Sequence, residues 1–169
     1  MDGINMSMQK AHTGFTLIEL MMVLLIGAIL ASLAVPSFIN IIRDNRLASQ
    51  TNDFISALNF ARSEAIKRGT NITVCSSDNQ ASCNSAAPWQ DGWVIVITNT
   101  GELLRAHAAL DGSTLVNQEG NTNIQYTARG MLNGNTATTF NLCIDSGVPG
   151  RQISITATGR PRSTKYTAC

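Results

Sequence analysis

The chain has 169 residues, a formal net charge of +1 and 14% charged residues. That length provides one compact domain with a segment to spare, and it excludes a miniprotein whose disulfides stand in for a core. Bulk charge so close to zero says nothing about partners, so only the distribution of charge is informative.

Residues 1–14 are short and polar, with Lys10 as the one firm positive charge and His12 beside it. Residues 15–35 read FTLIELMMVLLIGAILASLAV. About 20 apolar residues are enough to cross a bilayer as a helix. A cleaved secretory signal is the competing reading, because Ala31-Ser32-Leu33-Ala34 imitates a small-residue cleavage site. Glu19 argues against it: an acid inside a lipid-facing helix is costly and usually marks function.

Gly14-Phe15-Thr16-Leu17-Ile18-Glu19, followed by the apolar run, closely resembles the type IV prepilin signature. The resemblance implies that a prepilin peptidase cuts after Gly14 and methylates the new amino terminus at Phe15. It implies that residues 15–38 stay on the mature protein as a single-pass inner-membrane anchor, in contact with lipid, and later as filament core. It also implies that Glu19 pairs with the terminal amine of a neighbouring pilin during assembly. The rest of the chain would be periplasmic, and extracellular once in the pilus.

Pro36 lies one turn before polar residues begin, and a proline inside a helix is expected to interrupt or kink it. Residues 39–69 then read as an amphipathic helix: Leu47, Phe54, Leu58, Ala61 and Ala65 fall on one helical face. Lys67 and Arg68 suit its last turn, and Gly69 stops it.

Residues 70–169 change to period two. Residues 71–75, 92–98, 103–107, 124–127, 138–144 and 152–157 read as strands rich in Val, Ile and Thr. Turn signals lie between them, at Asp91-Gly92, Thr100-Gly101, Asp111-Gly112 and Asn133-Gly134, the last being the best hairpin candidate. Residues 76–88 read as a polar surface loop. One long helix beside six or more strands is an α+β domain.

Four cysteines all follow the apolar run, which suggests an oxidising compartment and two disulfides. Of three pairings we favour Cys75 with Cys83, closing a short loop, and Cys143 with Cys169, pinning the terminus; free buried thiols are the alternative.

The helix ending ARSEAIKRG, the following strand, and Trp89-Gln90-Asp91-Gly92-Trp93 resemble the FimT/GspH branch of minor pilins and pseudopilins. That resemblance covers nearly the whole chain. It implies a pilin fold, a long helix packed on two antiparallel sheets, and a low-abundance role near a filament tip.

No enzyme site is visible. His107 is the one histidine beyond the leader and lies in a predicted strand, where a half-exposed structural role outweighs that of a base. The cysteines are spaced wrongly for zinc, no glycine pattern cradles a phosphate, and no cofactor is implied. Trp89 and Trp93 could stack bases, but their spacing better suits a core cap.

The charge asymmetry lies near the end. From Ile124 onward Arg129, Arg151, Arg160, Arg162 and Lys165 face one acid, Asp145. In an extended segment Arg160 and Arg162 point to one face about 7 Å apart. Pro161 between them keeps this segment at a sheet edge or outside it, and Gly159 permits a sharp approach. Two adjacent guanidinium groups can engage successive phosphates, and Lys165 and Arg151 could extend the track. A basic edge that merely prevents aggregation is the plainer reading. Gly159-Arg160-Pro161-Arg162 resembles the G-R-x-R element of FimT-type pilins of naturally competent bacteria, which implies a DNA-binding role for Arg160 and Arg162. A structural subunit that primes assembly of a type IV pilus or a type II secretion pseudopilus is the alternative.

Overall fold

The computed structural model describes residues 14–169, without the side chains of residues 33–37. Residues 1–13 of the expected leader lie outside the described residues. The chain divides into two compact units, Met1–Ile41 and Ile42–Cys169. One helix, α1 (Leu17–Arg68), contributes to both.

In the first unit Thr16 caps α1. The Glu19 N–H donates to Thr16 Oγ1 at 3.3 Å, and the Leu20 N–H donates to the Thr16 carbonyl at 3.2 Å. Thr16-x-x-Glu19 is thus the spacing of a capping box, which places an acid where the helix dipole favours one. The apolar side chains from Phe15 to Leu30 are exposed. Among the described residues no helix is long and apolar enough to cross a membrane; the span expected over 15–38 includes five residues whose side chains lie outside the description. The helix is continuous through Pro36. A proline removes one backbone bond, and the turns on both sides keep theirs.

In the second unit one face of α1 is buried, with Leu47, Phe54, Leu58, Ala61 and Ala65 at the predicted helical spacing. The rest of this unit is built on eight strands: β1 (Ile72–Ser76), β2 (Trp93–Ile97), β3 (Leu103–His107), β4 (Thr114–Asn117), β5 (Asn123–Tyr126), β6 (Thr138–Cys143), β7 (Gly150–Ile155) and β8 (Pro161–Tyr166). They form two antiparallel four-stranded sheets, β3-β2-β1-β5 and β4-β6-β7-β8. Phe54 joins them: its ring meets Trp93 of the first sheet at 5.0 Å and Phe140 of the second at 4.9 Å, both edge-on. Truncating so buried an aromatic typically costs about 3–5 kcal/mol.

Trp89 also packs on Phe54, and its indole N–H donates to the Asn121 carbonyl at 2.8 Å. Both tryptophans are buried, so neither presents a face to a base. Gly92 between them has φ 122°, and a Cβ there would stand 2.5 Å from the His107 carbonyl oxygen. That close crossing explains the glycine of the W-x-x-G-W run.

Two strands escaped the sequence reading, β4 and β8. The Asn133-Gly134 pair is also not a hairpin turn. It lies in a short 3-10 segment, Asn133–Asn135, between β5 of one sheet and β6 of the other. Gly134 and Asn135 have positive φ there, so the local turn chemistry is as expected while its partners are not. The disulfides are Cys75–Cys83 and Cys143–Cys169, the pairing favoured from sequence. The first ties the 77–92 loop down over Cys75, Val94 and Val96, a small buried cluster of its own.

Candidate nucleic-acid interface

The segment that carries the basic residues is β8, an edge strand of the second sheet. Pro161 opens it opposite Ile155, where a residue without an N–H is tolerated. The turn before it is closed by two backbone bonds: Gly159 N–H to the Thr156 carbonyl at 2.8 Å, and Thr156 N–H to the Arg160 carbonyl at 3.2 Å.

Both ends of this edge are fixed. At its start Gly159, buried and at φ +79°, lies so close to Gly130 that a Cβ would overlap the Gly130 carbonyl oxygen. The same hypothetical Cβ would stand 3.0 Å from Tyr126 Cε1 and 3.3 Å from Arg62 Nε. At its end Cys169 is bonded to Cys143 of β6. Gly159 is therefore a positioning residue, and only a glycine satisfies both its φ and its neighbours. Beneath the turn the Tyr126 hydroxyl is buried with no hydrogen-bond partner among the described residues. Burial pushes its ionisation well above the usual range, with the nearby Arg62 opposing.

Arg160 and Arg162 are exposed and line one cleft of about 420 Å³, together with Thr156, Thr158 and Arg62. No carboxylate lines it, and among the described residues neither arginine forms an ion pair. The two therefore share a site, as alternation from an extended segment predicts.

Arg151 and Lys165 do not join that site. They stand directly opposite each other across β7 and β8, in register with the buried Ile153 rather than with Arg162. Directly opposed residues and alternate residues along a strand share a sheet face, and successive ones do not. The continuous four-residue track expected from sequence is thus two separate pairs. Arg129 is exposed in the 127–131 turn and lines a different cleft.

Sequence reading missed Arg62. It sits on α1, half-buried, and its Nε–H donates to the Gly130 carbonyl at 2.8 Å across 68 residues of chain. Only the packing of helix against turn brings it to β8.

His107 stacks on Trp93 at 4.0 Å and bonds the Ala108 carbonyl through Nδ1 at 2.7 Å. Among the described residues no cluster of three or more metal-ligating side chains exists. Arg68 holds the Glu64 carboxyl below its ordinary range by a 2.6 Å hydrogen bond.

A family model described as type II transport protein GspH matches residues 50–159, and a prokaryotic N-terminal methylation motif matches residues 9–35. No curated protein matches the chain in sequence. Two crystal structures of the type IV minor pilin FimU from Pseudomonas aeruginosa share the fold. One is 24% identical with a TM-score of 0.63, covering 75% of this chain and 97% of FimU. The other is 24% identical with a TM-score of 0.59, covering 72% and 98%. Arg160 and Arg162 lie just past the family match, so it describes the scaffold and not the basic edge. With the model spanning well over half of the sequence, the chain belongs to the GspH family, the FimT/GspH-type minor pilins and pseudopilins.

Proposed function

We propose that the chain is a minor type IV pilin that binds extracellular DNA through Arg160 and Arg162 during natural transformation. The observation that carries this reading is the pair itself: two exposed guanidinium groups without carboxylate partners among the described residues, on one cleft, at an edge anchored at both ends. A guanidinium presents a planar fork of donors to phosphate oxygens. Fixing the strand beforehand removes part of the ordering cost of binding. The hydroxyls of Thr156 and Thr158, 2.9 Å apart, stand at the same cleft as further phosphate donors.

Such contacts read the backbone and not the bases, so binding is independent of sequence and weak, in or above the micromolar range. Several subunits in one filament raise retention by avidity. Lys165 and Arg151 add long-range attraction that salt screens within about 10 Å.

The rest of the reading concerns assembly. The methylation motif and the family imply a membrane-anchored subunit that joins other pilins. Processing after Gly14, methylation at Phe15 and an assembly contact at Glu19 follow from the prepilin resemblance. The exposed apolar side chains from Phe15 onward fit a segment covered by lipid before assembly and by neighbouring subunits afterwards.

A purely structural subunit is the alternative, and one experiment separates the two. The unit Ile42–Cys169 contains every core residue and both disulfides, so it is suited to a titration against a labelled duplex. Arg160→Gln with Arg162→Gln is expected to weaken binding about a hundredfold at low salt, with the fold unchanged. Equal binding by the wild type and this double variant would leave the structural subunit as the function.

A further inference from the structure

Arg62 has one identified hydrogen bond, from Nε to the Gly130 carbonyl. Its two terminal nitrogens carry four N–H donors. None of these has a hydrogen-bond or ion-pair partner among the described residues, although every other cation of α1's last turns, Lys67 and Arg68, meets Glu64. The side chain is half-buried against Gly159 and lines the same cleft as Arg160 and Arg162.

We propose that Arg62 is a third phosphate-binding residue, which turns the two-arginine edge into a cleft that grips a DNA backbone phosphate from the helix side as well as the strand side. This rests on the reading of Arg160 and Arg162 as DNA contacts and adds to it. The Nε bond to Gly130 restrains the guanidinium and leaves its outer edge, the part that forks onto a phosphate, without a hydrogen-bond or ion-pair partner among the described residues. Because the stem is already immobilised by packing, little rotamer freedom remains to be lost on binding. The partial burial also shields this charge from salt better than an exposed one. Thr156 and Thr158 complete a cleft lined by three cations, two hydroxyls and no acid.

The competing role is a prop that holds the Gly130 turn in place, and two substitutions separate the roles. Arg62→Gln keeps a donor for the Gly130 carbonyl and removes the charge. Arg62→Lys keeps the charge and removes the fork. The full chain in neutral-detergent micelles is titrated with a short labelled duplex of mixed sequence over a range of salt, with melting temperature followed alongside. We expect Arg62→Gln to bind about tenfold more weakly at low salt, with the slope of log K against log salt shallower by about 0.9, at an unchanged melting temperature. Arg62→Lys retains the slope and loses affinity severalfold. Should Arg62→Gln fail to fold, Arg62→Lys decides: wild-type affinity in that variant overturns the proposal. Wild-type affinity and slope in Arg62→Gln, beside weakened binding in the Arg160 and Arg162 double variant, overturns Arg62 alone. No binding by the wild type removes both readings.

Discussion

Along α1, Arg43 reaches Asp145 at 3.2 Å, Arg46 reaches Asp111 at 3.5 Å, and Arg68 reaches Glu64 at 2.6 Å. Along the second sheet's edge, Arg160, Arg162 and Lys165 reach no carboxylate among the described residues. Both regions are basic and partly exposed, yet the fold treats them differently. Asp145 is the one acid between Ile124 and Cys169, and the helix takes it through Arg43. Of the remaining cations of this stretch, Arg160, Arg162 and Lys165 lie on or beside the edge strand, Arg151 on its neighbour β7 and Arg129 in the 127–131 turn. Arg43, Arg46 and Arg68 are matched by acids; the cations at β8 and its turn are held in place by backbone and disulfide and have no carboxylate partner among the described residues.

This contrast can be broken most severely at Gly159. Replacing it with alanine forces a side chain onto φ +79° and into the Gly130 carbonyl. We expect a loss of about 2 kcal/mol in stability, visible as a lower melting temperature, together with weaker DNA binding. An unchanged melting temperature would mean that the edge is not held by this apposition.

A smaller effect is expected at Glu119. Its carboxylate accepts hydrogen bonds from the Thr139 N–H at 3.0 Å and the Thr138 hydroxyl at 2.8 Å, which ties the turn after β4 to β6. Partial desolvation of the carboxyl pushes its ionisation up, but these bonds outweigh that and hold it below the ordinary carboxylate range. A depressed folded value means that the stabilisation is complete above the ordinary range and is lost as pH falls through the lower, folded one. Glu119→Gln should flatten the acid side of the stability profile by about 1 kcal/mol or less, the side chain being exposed. An acid profile identical to wild type would contradict the assignment.

The smallest effect belongs to the paired cations. Arg43→Gln and Arg46→Gln each remove an ion pair with exposed partners, which is worth about 0.2–1 kcal/mol. Neither should alter the salt slope of DNA binding. A slope change as large as that from Arg162→Gln would erase the distinction between the two regions.

What the sequence made legible follows from periodicity and its range. The helix face was readable because Leu47, Phe54, Leu58, Ala61 and Ala65 repeat on a helical period, and β2 because WVIVI is fully buried. Strand β4 escaped because it is short and buries only Leu115 and Asn117. β8 escaped because it is an edge with no fully buried side chain, so no apolar alternation marks it. Asn133-Gly134 signalled a turn correctly, but a turn signal does not say which strands it joins. Within the site, the Arg160 and Arg162 pair could be read from two-residue alternation. Arg62 could not, since its link to Gly130 spans 68 residues and depends on how the helix packs. The mistaken extension to Arg151 and Lys165 came from counting charge along the chain without the parity that register imposes.

The most direct test of the unmatched edge is the salt dependence of binding between the wild-type chain and a duplex of arbitrary sequence. Two or three phosphate contacts predict a slope of log K against log salt between about −1.8 and −2.7. Binding that is insensitive to salt, or absent at low salt, would contradict the claim that Arg160 and Arg162 are free for phosphate.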